Sequence, residues 1–159
     1  MTGLRQQAAQ GLALGDKVTV TRTFSYEDTL AFGELTQDYN PVHYDLGFAQ
    51  GKGFAGLILH GLLTGAMICQ IGGQVAWLAS GMNFRFKRPV APGDTVTLEF
   101  TLTALDQGGR ARGRGRYTNQ RGELVMEAEL FGQLPGEDDR ARLEEMMAQG
   151  DPDNPLRGE

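Results

Sequence analysis

The sequence predicts an α+β chain in which an antiparallel sheet wraps around a long central helix, and three observations predict it. From His60 to Gly72 the residues are apolar almost all round, as a helix buried on every side requires. Gly61, Gly65, Cys69 and Gly72 form a stripe of small residues along that helix, which lets another backbone approach closely. Everything after Gln74 alternates with the two-residue period of half-buried strands.

The elements follow in order. Val18 and Val20 alternate with Thr19 and Thr21, predicting a strand over 17–24. Ser25 opens a capping box with Asp28, and Ala31, Leu35 and Asp38 recur at helical spacing. A helix over 26–38 is expected, with Asp38 in its last turn on the apolar face. That is a poor place for a carboxylate, since it opposes the helix dipole and loses solvent. Asn40-Pro41 stops the helix, and the glycine-rich segment 44–56 reads as an irregular overhang with one short turn of helix.

After the central helix, Ala76, Leu78, Met82, Phe84 and Phe86 share a parity. Val96, Leu98, Phe100 and Leu102 alternate with polar residues, as do Leu124, Met126, Ala128 and Leu130. A strand over 110–119 carries Arg110, Arg112, Arg114 and Arg116 on one face and Ala111, Gly113 and Gly115 on the other. Its small face suits a strand pressed against the central helix.

Size and composition bound the rest. The 159 residues suffice for one well-packed core, so a single domain over 1–136 is expected, followed by a tail, 137–159. The net charge of -5 belongs to that tail, which holds 3 basic and 8 acidic residues, whereas 1–136 balances at 12 of each. A short surface helix near Leu143 and Met146, then mobile chain beyond Gly150, is the expectation. A body without net positive charge or interleaved aromatics argues against a nucleic-acid partner, so the arginine stripe reads first as a solvated face and second as a phosphate contact. The lone Cys69 reads as a small buried hydrophobe in a reducing, cytoplasmic protein. Met1 to Gln10 has no apolar signal core, and the apolar run 54–71 is broken by His60, Gln70 and glycines, so no membrane span is expected.

Both histidines, with a carboxylate five positions before the first, fall close together in the sequence: Asp38-Tyr-Asn40-Pro41-Val-His43, then Leu59-His60-Gly61. A turn at Asn40-Pro41 brings Asp38 and His43 to one volume, where such a pair can hold and activate a water molecule. His43 and His60 lack a close metal-ligand spacing and Cys69 is isolated, so no metal is expected. His60, beside a helix start, reads as a structural group.

These blocks, with Phe86-Lys-Arg88-Pro89-Val90-Ala-Pro92-Gly93-Asp94, resemble the signature segments of the MaoC-like (R)-specific enoyl-CoA hydratases over roughly residues 15–134. The resemblance implies a hot-dog fold and a cofactor-free hydro-lyase that hydrates trans-2-enoyl thioesters to (R)-3-hydroxyacyl thioesters, or reverses that reaction. It puts the catalytic pair at Asp38 and His43 and the oxyanion donor at the Gly61 N–H. Some members carry a serine where this chain has Ala66, so a hydrogen bond orienting His43 is either missing or supplied by Thr64. Lys87 and Arg88 lie in a signature block and are further candidates for phosphate. The implied substrate rides on CoA or acyl carrier protein, and an edge strand in need of cover implies a homodimer. The alternatives are a hot-dog thioesterase and a non-catalytic acyl-CoA binding module.

Overall fold

The structure, a computed structural model, describes residues 3–157. The chain runs through helix α1 (Leu4–Gln10), strand β1 (Lys17–Thr23), helix α2 (Tyr26–Thr36), a 3-10 turn (Pro41–His43) and helix α3 (Leu46–Gly51). Helices α4 (Gly61–Gly65) and α5 (Met67–Gln74) follow, then strands β2 (Leu78–Phe86), β3 (Thr95–Leu105), β4 (Arg110–Asn119) and β5 (Leu124–Gln133), and helix α6 (Glu137–Ala148). The strands form one antiparallel sheet in the order β1-β3-β4-β5-β2, so β1 and β2 are its edges.

Alternation becomes burial as the pattern requires. Val18 faces Phe100 and Val20 faces Leu98 across the β1–β3 pair, and Tyr117 faces Met126 across β4–β5. All six are buried, and they join Ile68 and Ile71 of α5 and Val75, the residue that follows it, in one core. Each such side chain withdraws apolar surface from water, which stabilises the fold by roughly 1.5–3 kcal/mol per large aliphatic residue.

The central helix is two helices meeting at Ala66 rather than one long rod. In a continuous helix the Gly65 carbonyl would accept from Cys69 N–H. Here the buried Tyr117 hydroxyl donates to Gly65 O at 3.0 Å, and Cys69 N–H turns back to Ala66 O at 2.9 Å. Burial pushes the Tyr117 phenol well above its ordinary pKa, so it remains a donor.

The small-residue stripe serves the sheet along only part of its length. A Cβ on Gly61 would lie 2.6 Å from the Phe86 ring and one on Gly65 would lie 3.1 Å from the Phe84 ring, so both glycines admit β2 aromatics. Cys69, by contrast, is exposed rather than buried. The small face of β4 also has a different cause from the expected one. The Phe100 ring of β3 occupies the space a Gly113 side chain would need, and Leu98 and Tyr117 crowd Gly115.

Two terminal features depart from the sequence expectations. α1, which the sparse apolar content of the first residues did not announce, buries Ala8 and Ala9 and packs against α6. The tail expected to be mobile is packed too: Leu143 joins the core, and Asp151 and Asn154 are buried. No helix among the described residues is long and apolar enough to cross a membrane.

Candidate active site

α2 ends because Gln37 takes a left-handed conformation, φ 60°, with its N–H closing on the Gly33 carbonyl at 2.7 Å. Asp38 therefore lies beyond the helix instead of in its last turn, and its side chain is about half exposed, at 51%. The local conflict expected from a carboxylate on the apolar face does not arise. Asn40 then caps the 3-10 turn, accepting from Val42 N–H at 3.3 Å, and Pro41 fixes its first residue.

That turn drives His43 into the protein, where it is 7% exposed. His43 Nδ1–H donates to the Ile58 carbonyl at 2.8 Å, which leaves Nε2 as a lone-pair acceptor. Burial holds the His43 imidazole below its ordinary pKa; the Ile58 hydrogen bond raises it, nearby His60 lowers it further and Asp38 raises it. The net direction keeps the ring neutral at neutral pH. The orienting bond comes from the main chain, so neither Ala66 nor Thr64 supplies it. Thr64 is buried, and its hydroxyl has no partner among the described residues.

His60 stacks on His43, with ring centroids 3.8 Å apart and planes at 31°, and has Phe32 at 5.2 Å and Tyr44 at 6.0 Å as further neighbours. Its Nε2–H donates to the Asp38 main-chain carbonyl at 2.9 Å. Asp38 Oδ2 lies 4.0 Å from His43 Nε2 and 4.0 Å from His60 Nε2. That separation is too long for a direct hydrogen bond and suits a bridging water.

Asp38, His43 and His60 thus gather potential ligand atoms within 4.8 Å of one another, which their sequence spacing did not foretell. His60 Nε2 spends its proton on a carbonyl, however, and only two lone-pair groups, Asp38 and His43, remain free to face a common guest.

Asp38, His43, His60 and Gly61 line one cleft of about 590 Å³, walled by Phe32, Phe54, Leu62, Phe86, Val90 and Met126. Gly61, as first residue of α4, has a backbone N–H with no intrahelical acceptor. Lys87 and Arg88 are at the cleft as well, Lys87 paired with Glu127 at 2.9 Å and Arg88 donating to the Leu124 carbonyl at 2.9 Å. The arginine stripe is elsewhere: Arg114 meets Glu129 at 3.4 Å, Arg116 meets Glu99 at 4.0 Å, and Arg112 lies over the Phe131 ring. It forms the mixed-charge outer face of the sheet.

Sequence reasoning missed Tyr44. Its hydroxyl donates to the Asp38 carbonyl at 3.1 Å, and it fits there because Gly33 has no side chain to occupy the same space. The available signal was a glycine inside an otherwise regular helix, which marks a close approach.

Fold and site together define a hot-dog protein whose cleft holds two water acceptors side by side. The chain belongs to the MaoC-like domain family, whose model matches residues 7–122. The (R)-specific enoyl-CoA hydratase of Aeromonas caviae is 33% identical over 133 residues, 80% of this chain and 99% of that protein. A solved (R)-hydratase structure from A. caviae superposes with a TM-score of 0.73 over 79% of this chain and 99% of its own. An R-hydratase from Pseudomonas aeruginosa, 31% identical, superposes with a TM-score of 0.74 over 81% of this chain and 86% of its own. The 3-hydroxybutyryl-CoA dehydratase of Methylorubrum extorquens is 29% identical over 154 residues, 92% of this chain and 96% of that protein.

Proposed function

We propose that the protein is a hydro-lyase that adds water across the double bond of a trans-2-enoyl thioester to give the (R)-3-hydroxyacyl thioester, and that it catalyses the reverse dehydration. The observation that carries the mechanism is the pair of acceptors, Asp38 Oδ2 and neutral His43 Nε2, 4.0 Å apart. A water between them donates one hydrogen to each, and its oxygen lone pair is left facing the cleft.

As that oxygen attacks Cβ, one acceptor takes a proton and the π pair moves through Cα onto the thioester oxygen. The Gly61 N–H stabilises the enolate oxygen as a single aimed donor; α4 is too short for its dipole to matter much. The proton is then delivered to Cα from the same side, so water's two parts add to one face. The Asp38–His43 pair shares the titrating proton as a unit. The apolar walls receive the acyl chain, and the thioester's carrier, CoA or acyl carrier protein, lies towards the cleft mouth.

Two further parts of the reading concern the setting. Edge strand β2 leaves Leu78 at 75% and Met82 at 39% exposure, which supports a homodimer closed on that edge and visible by sedimentation at micromolar concentration. The exposed thiol of Cys69 suits a reducing cytoplasm. The deciding experiment follows loss of enoyl absorbance with crotonyl-CoA and longer enoyl-CoAs, with chiral analysis of the product and thiol release measured in parallel. (R)-3-hydroxyacyl product without thiol release is expected. Free thiol as the main product would make the protein a thioesterase, and binding without either product would make it a carrier module.

A further inference from the structure

We propose that Tyr44 and His60 are positioning residues that hold Asp38 in place by donating together to its main-chain carbonyl. The inference rests on the hydration reading above. Little else holds Asp38. The residue lies past the end of α2 and before the 3-10 turn, outside helix and sheet. Its N–H reaches only Thr36 Oγ1, at 3.4 Å, and its carboxylate is tied by one contact, Asn40 N–H to Oδ1 at 3.2 Å. A half-exposed loop with these bonds alone would let Oδ2 wander relative to His43.

The carbonyl supplies the missing constraint. His60 Nε2–H approaches it at 2.9 Å and the Tyr44 hydroxyl at 3.1 Å, and the two donors lie 3.4 Å from each other. Both are themselves held. His60 is 2% exposed and packs against His43 and Phe32, while Tyr44 follows His43 directly and fills the space left by Gly33. The same imidazole that stacks on His43 thereby fixes the main chain of Asp38, so the two members of the catalytic pair are registered against one rigid ring.

The arrangement has a local cost that points the same way. His60 Nδ1 is buried and has no hydrogen-bond partner among the described residues. A side chain chosen for packing alone would not leave a buried polar atom unpaired, whereas one needed for its Nε2–H must tolerate it. His60 also aims its proton at a carbonyl rather than into the cleft, which suits positioning and not acid catalysis. Tyr44 is the cleaner handle, because burial and the Asp38 charge hold its phenol above the ordinary value and keep it a donor.

Tyr44→Phe removes one donor and no bulk. It should lower kcat by about tenfold while KM stays within about twofold, since misplacing a catalytic group by a fraction of an ångström slows the chemical step without weakening substrate binding. The same substitution in an Asp38→Asn background should have almost no further effect, whereas a merely structural role would multiply the two losses. Gly33→Ala, which displaces the hydroxyl without deleting it, should reproduce the Tyr44→Phe phenotype and serves if Tyr44→Phe fails to fold. An independent readout is the ring 15N spectrum of His60, expected to show the proton on Nε2. The proposal is overturned if Tyr44→Phe keeps wild-type kcat, if its loss persists in full beside Asp38→Asn, or if His60 carries its proton on Nδ1. The tautomer decides the matter even if no enoyl thioester is hydrated, an outcome that would refute the functional reading instead.

Discussion

In the proposed mechanism His43 acts only while its Nε2 lone pair is free, and two features of its surroundings favour that state. The Ile58 carbonyl takes the Nδ1 proton, and burial depresses the imidazole below its ordinary value of 6.5. The sign follows directly: a depressed folded value means that the neutral ring, and the stability associated with it, is present above the unfolded value and is lost as pH falls through the folded one. Turnover should therefore be level from neutral pH down to about the ordinary imidazole value and decline only below it. A decline already complete at neutral pH in a kcat profile would contradict the assignment. Asp38→Asn and His43→Gln should each reduce turnover by about 10² or more, and the double variant should be little worse than the worse single. Near-normal hydration by a folded Asp38→Asn protein would remove the basis of the mechanism.

Among the elements, strands were the most legible part of the sequence because burial on one face writes a period of two directly into residue type. The stretch expected at 110–119 is β4 itself, Arg110–Asn119. The break in the central helix was invisible, since it depends on a tyrosine 52 positions away donating to Gly65. Asp38 and His43 were legible as a pair because the Asn40-Pro41 turn between them is local. Ile58 and Tyr44 were not, because a carbonyl has no signature in residue type and the Tyr44 contact requires knowing what faces Gly33. The glycines of β4 make the same point: their small side was read as room for a helix, and the neighbouring strand's Phe100 fills it instead. Gly113→Ala should accordingly cost about 1–3 kcal/mol through overpacking, visible as a lower midpoint in denaturant. Turnover per folded molecule should be unchanged, as Gly113 does not line the cleft. An unaltered midpoint would mean that Phe100 can move aside freely.

At the scale of the whole molecule, the tail shows how composition misleads. Eight acidic and three basic residues with few apolar ones suggested a mobile appendage. What composition cannot show is reciprocity. Asn154 and Gln74 exchange amide hydrogen bonds at 2.9 and 3.0 Å, Asn154 donates to Asp151 at 2.7 Å, and Asp151 pairs with Arg5 at 3.4 Å. This polar knot ties the chain end to α1 and to the last residue of α5, while Leu143 of α6 joins the core beside it. The knot is held by the Asn154–Gln74 amide exchange and the Arg5–Asp151 ion pair, while Arg5 Nε and Asp151 Oδ1 are buried without a hydrogen-bond partner among the described residues, so removing one partner strands further polar atoms. Leu143→Ala should destabilise the protein by about 2 kcal/mol or more, and truncation after Gly136 by more, because it uncovers Ala8 and Ala9 as well. No described residue of the tail lines the cleft, so the truncated protein should still turn over below its lowered melting temperature. A truncated chain that melts with the full-length protein would show that the knot contributes nothing, and one that stays folded yet inactive would show that the tail reaches the active site.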